Sequence, residues 1–72
     1  MIRISGQGKD LMITGLERPV IIEDPVALRQ GSQILICIYN GLLPAGHYKY
    51  SDILDLASQL REATGEEVVV KI

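Results

Sequence analysis

The stretch Ile34-Leu35-Ile36-Cys37-Ile38-Tyr39 is apolar without a break, with Gly31-Ser32 before it and Asn40-Gly41 after it. A short continuous apolar run between turn signals predicts a strand buried on both faces. Such a strand needs neighbours along both edges and cover above and below. The other segments are therefore read as its neighbours and its cover.

Upstream, Met1 to Ser5 alternates, with Ile2 and Ile4 on one face and Arg3 on the other, as a half-buried strand does. Gly6-Gln7-Gly8-Lys9-Asp10 is a turn cluster of the kind that closes a hairpin. Leu11-Met12-Ile13-Thr14 is the return strand, and Leu16 to Pro19 connects it to a third strand, Val20-Ile21-Ile22-Glu23. Pro19 at the head of that strand is tolerated because its missing N–H lies outside the ladder. Asp24 to Gly31 holds a capping residue, a Pro suited to a first helical position and a Gly suited to a helix exit, which fits a single helical turn.

Downstream, Asn40 to Tyr50 reads as a loop. Ser51 to Thr64 is the one long helix, with Ser51 as N-cap, Asp52 and Asp55 in its first turns, Arg61 near its end and Gly65 beyond it. Ile53, Leu56, Ala57 and Leu60 form its apolar stripe, widened by Leu54, while Asp55, Ser58, Gln59 and Glu62 face water. Glu67 to Ile72 is a final strand. A right-handed βαβ unit would then set strands 34–39 and 67–72 parallel.

The expected fold is α+β. It has a small mixed or mainly antiparallel sheet of about five strands and one packed C-terminal helix, in the order strand, strand, strand, short turn, strand, helix, strand. One helix covers one face of such a sheet. Either the sheet curls into a half-barrel or its open face meets something else.

The 72 residues fit a single domain, 1–72, whose thin stability margin favours self-association. A single Cys excludes an internal disulfide, and one Cys with one His falls short of a structural zinc set, so no metal or cofactor is expected. The composition, 47% hydrophobic and 22% charged, is ordinary for a globular chain, and the core must be aliphatic because Phe and Trp are absent. A net charge of −2 argues against a nucleic-acid partner. No run is long enough to span a membrane and no secretory leader pattern stands at the start, so a cytoplasmic location is expected.

Ser5-Gly6-Gln7-Gly8-Lys9-Asp10 contains Gly-Lys but lacks the glycine spacing, the Ser/Thr and the following helix of a phosphate loop, and it reads as a hairpin turn. Cys37, amid Ile residues, reads as core. The unusual segment is Leu42 to Tyr50, where His47, Tyr48, Lys49 and Tyr50 are consecutive and Tyr39 lies upstream at the end of its strand.

Three functional readings compete there with plain packing of Tyr48 and Tyr50 over the sheet edge. They are acid–base chemistry at His47 with a tyrosine partner, base stacking on Tyr48 and Tyr50 with phosphate contacts from Lys49 and His47, and a protein-binding surface. The last asks least of the sequence. The expected function is a small non-enzymatic protein-binding module acting by self-association or by docking to a larger partner. The alternatives are a ligand- or nucleic-acid-binding protein using Tyr39, His47, Tyr48, Lys49 and Tyr50, and thirdly a small enzyme centred on His47. A basic patch joining Lys49 to Arg3, Lys9 or Arg18 would favour the nucleic-acid alternative.

Overall fold

The computed structural model describes all 72 residues. In chain order the elements are β1 (Ile2–Gln7), β2 (Asp10–Thr14), β3 (Val20–Glu23), α1 (Pro25–Arg29), β4 (Leu35–Ile38), β5 (Gly41–Pro44), α2 (Tyr50–Thr64) and β6 (Val68–Lys71). Gly8 and Lys9 turn β1 into β2, with Gln7 opposite Asp10 and Arg3 opposite Thr14. β6 adds parallel to the other side of β1, Ile2 facing Val68 and Ser5 facing Lys71. β5 adds antiparallel to β2, giving a four-stranded mixed sheet in the order β5-β2-β1-β6. β3 and β4 form a separate two-stranded antiparallel ribbon. The fold is α+β.

The alternation of β1 and β2 sends Ile2, Ile4, Leu11 and Ile13 to one face of the large sheet. There they pack with Ile53, Leu56, Ala57 and Leu60 of α2, with Val68, and with Val20, Ile22 and Ile38 of the ribbon. Burying each of the larger aliphatics contributes about 1.5–3 kcal/mol. The opposite face of the sheet carries Arg3, Thr14 and Lys71 in the open and Ser5, Met12 and Val69 half-buried. No helix is long and apolar enough to cross a membrane.

Several sequence expectations are overturned. The run 34–39 is not the central strand; β1 and β2 are the interior strands of the large sheet. β4 pairs only with β3, and of its four residues only Ile38 is buried. Cys37 is exposed, not core. The strand parallel to β6 is β1 rather than β4, because the ribbon stands apart from the large sheet. The ribbon and α2 together cover one face of the large sheet. Residues 41–44, expected in a loop, form β5, whose Leu42 and Leu43 face Met12 and Leu11.

Local chemistry explains the helix boundaries. Asp24 caps α1 by accepting the Val26 N–H at 3.1 Å, with Pro25 in the first turn. α2 starts at Tyr50 and its N-cap is Lys49, not Ser51. Lysine has no acceptor to offer the helix, so only the reciprocal half of a capping box forms, in which the Asp52 carboxylate accepts the Lys49 N–H at 2.7 Å. Gly65 ends the helix at φ 72°, its N–H bonded to the Arg61 carbonyl at 2.8 Å. Leu54 lies outside the buried stripe.

Two side-chain amides replace missing strand neighbours. Gln59, expected in water, accepts the Glu23 N–H at 2.8 Å and donates to the Glu23 carbonyl at 3.0 Å. Asn40 makes the same double bond to Leu16, at 2.8 and 2.7 Å.

Gly15 sits at φ 89°, and a Cβ there would collide with the Met1 carbonyl oxygen. Gly31 has φ 82° but open space around it. Gly15→Ala should therefore lower the unfolding free energy by about 2 kcal/mol or more, and Gly31→Ala by about 1 kcal/mol, from the left-handed backbone alone. Urea midpoints at unchanged slope measure both, and equal losses would contradict the close backbone approach at Gly15.

Candidate functional site

Four of the five expected site residues, His47 to Tyr50, lie where the chain turns from β5 into α2. The fifth, Tyr39, follows β4 on the ribbon, and no hydrogen bond ties it to the other four. His47 is exposed, and only its backbone carbonyl is engaged, accepting from Arg29 Nη2 at 3.1 Å. Lys49 is exposed and serves as the N-cap of α2 through its backbone. Tyr50 is 61% exposed, whereas Tyr48 packs against the core, so the two tyrosines do not share a face.

Beneath this segment runs a polar network that joins the two helices. The Tyr48 hydroxyl donates to Asp24 Oδ1 at 3.1 Å, on the carboxylate that also caps α1. Arg29 Nη2, at the end of α1, donates to Asp52 Oδ2 at 3.2 Å in the first turn of α2. Asp52 is the one buried charged residue, 5% exposed. Burial pushes its carboxyl pKa up, but the Lys49 N–H and the Arg29 guanidinium together outweigh that and hold it below its ordinary value. Burial, and then the neighbouring Asp24 carboxylate, push the Tyr48 hydroxyl up to about 12. Every buried side-chain polar atom has a partner, and no three His, Cys, Asp or Glu side chains gather as a metal set.

Of Arg3, Lys9 and Arg18, only Lys9 comes near the segment, where Arg29 already bonds to the His47 carbonyl. The Lys9 carbonyl accepts the Ala45 N–H at 3.2 Å, and Lys9 shares with Asp10, Tyr48 and Ile53 a cleft of about 270 Å³. Arg3 lies on the open face of the large sheet, and Arg18 lines a polar recess with Glu17 and Glu66.

A row of exposed apolar side chains lies elsewhere, on the ribbon. Ile21 stands opposite Cys37 and Glu23 opposite Leu35, so alternation puts these four on the outer face, with Tyr39 continuing the row. Ile21 is 67% exposed, Leu35 66% and Tyr39 48%. Sequence reading missed this surface because an apolar run on both faces of a strand signals cover on both faces, and the chain supplies only one. The uninterrupted run 34–39, beside Ile21, was the signal present.

No family model, no curated protein and no solved structure matches the chain.

Asp52→Ala leaves the Lys49 N–H and Arg29 without their acceptor and should cost about 1–2 kcal/mol in urea unfolding. Because the Asp52 pKa is lowered on folding, its contribution is held above its unfolded value of 3.8 and is lost as pH falls through the folded one. Tyr48 has the opposite sign. Its raised pKa leaves stability intact below 10.0 and erodes it as pH climbs towards about 12. Tyr48→Phe should flatten that alkaline decline relative to wild type, and an unchanged slope would rule out the Tyr48–Asp24 bond.

Proposed function

We propose that this protein is a small non-enzymatic module that binds protein, by self-association or by docking to a larger partner, and that the ribbon carries the contact. The supporting observation is the outer face of β3 and β4. Ile21, Leu35 and Tyr39 lie side by side there, in a chain whose other large aliphatics mostly pack inward. Scattered exposed apolar side chains are normal, but a contiguous row on a strand pair is a feature of interaction surfaces. Tyrosine at the margin of such a row suits a contact that is apolar on one side and wet on the other.

The segment His47 to Tyr50 supports the alternative reading less. Tyr48 is engaged with Asp24 and the core, and the buried Asp52 carboxylate already occupies the start of α2, where an anionic ligand would have to sit. The His47 side chain makes no hydrogen bond to a carboxylate that could tune it for acid–base work, and nothing favours the enzyme reading further.

The double variant Ile21→Ser, Leu35→Ser tests the proposal against Tyr48→Ala, Tyr50→Ala. Light scattering across a dilution series and capture of partners from cell extract are read for both. Loss of association in the ribbon variant alone supports the proposal. Loss only in the tyrosine variant, with that variant still folded by circular dichroism, transfers the site to the α2 segment and overturns the ribbon.

A further inference from the structure

We infer that the partner of the ribbon is a second copy of this chain, joined by antiparallel pairing of β4 with β4 about a two-fold axis at Ile36. This rests on the ribbon being the contact surface and adds its occupant and register.

The edges of the two sheets are not alike. β5 carries Pro44, β6 carries Lys71, and the free edge of β3 is met at Glu23 by the Gln59 amide. Each is a recognised way of blunting an edge. β4 has none of them. The Asp24 N–H bonds to the Ile34 carbonyl at 2.7 Å, and Ile22 faces Ile36, so the even-numbered residues of this strand turn their main-chain groups towards β3. By the alternation of an antiparallel ladder, Leu35 and Cys37 turn theirs outward. No turn, loop or cap hydrogen bond within the chain involves them.

Charge selects the occupant. From Gln33 to Asn40 there is no charged residue, so neither an acidic nor a basic strand gains by lying there, and a copy of the same uncharged strand brings no like charge to the join. In the resulting sheet, ordered β3-β4-β4-β3, the two Glu23 carboxylates stand on the outermost strands. Three strand spacings hold them at least about 14 Å apart, beyond the screening length of about 8 Å. With Ile36 on the axis, Leu35 lies opposite Cys37 of the second copy and Cys37 opposite its Leu35. Every outward N–H and C=O of β4 then has a partner, and the two rows Ile21, Leu35, Cys37 and Tyr39 merge into one face.

The register makes a disulfide test specific. Directly opposed residues of a hydrogen-bonded pair have Cα atoms about 5.5 Å apart, within the range a disulfide spans. Diagonal neighbours are about 7–8 Å apart, which is outside it. Under mild oxidation, Leu35→Cys should therefore yield a covalent dimer joined to the native Cys37. Wild type and the double variant Leu35→Cys, Cys37→Ser should run as monomers on a non-reducing gel.

In light scattering without oxidant, wild type should be dimeric, and Leu35→Lys should weaken the dimer at least about tenfold by placing charge on the edge. Leu35 and Cys37 are exposed in the monomer, so circular dichroism should show all three variants folded. A wild-type dimer indifferent to Leu35→Lys, or one that cross-links through Cys37 alone, overturns the inference. A wild type monomeric at every concentration also overturns it. In that case the broader ribbon reading still stands if Ile21→Ser, Leu35→Ser abolishes capture of a different protein, and it falls if nothing is captured at all.

Discussion

The fold depends on the burial of Ile2 and Ile4 against α2. Both are wholly inaccessible, as are Leu56 and Leu60 on the helix. β1 can bury them because it lies between β2 and β6, so its main chain is paired on both sides while its side chains meet the helix. The same face is completed by Leu11, Ile13 and Val68 and by Val20, Ile22 and Ile38 of the ribbon. A helix of this length is marginal alone, and its stability comes from packing.

The polar groups bring the surrounding pieces into register with this core. Asp52 ties the end of α1 to the start of α2 through Arg29, and Tyr48 reaches the cap of α1 through Asp24. Gln59 and Asn40 spread amides across stretches of backbone that no strand covers. These bonds satisfy groups that would be costly if buried unpaired, and they fix where the ribbon and the loop sit more than they add to the total.

The elements were largely legible from sequence, and their partners were not. The β1–β2 hairpin, the third strand, the α2 stripe with Gly65 behind it and the last strand all follow from periodicity and capping. Length of apolar run does not rank these strands by burial. Ile2 and Ile4 alternate with polar neighbours yet are the most deeply buried, while the unbroken run at 34–39 lies on a ribbon with one side open. Burial on both faces needs two layers, and a chain this size builds about one and a half. β5 was hidden because Gly41 and Pro44, read as loop residues, are also residues that an edge strand tolerates. At the α2 segment the cluster of Tyr, His and Lys was visible, but its anchoring was not. The partners Asp24 and Arg29 are distant in sequence, and no local pattern announces them.

The pairing of β1 with β6 also governs the order in which the chain can assemble. The hairpin of β1 and β2 closes over a two-residue turn and needs little loop entropy, whereas Ile2 meets Val68 only after all the residues between them have been gathered in. One edge of β1 therefore stays unpaired until β6 has joined it. Through that interval Ile2 and Ile4 lack their second neighbour and rely on whatever part of α2 is already in place. Contacts between residues far apart in sequence slow folding. Here a pairing of wide sequence separation completes β1, so one edge of the strand that carries Ile2 and Ile4 depends on a distant segment.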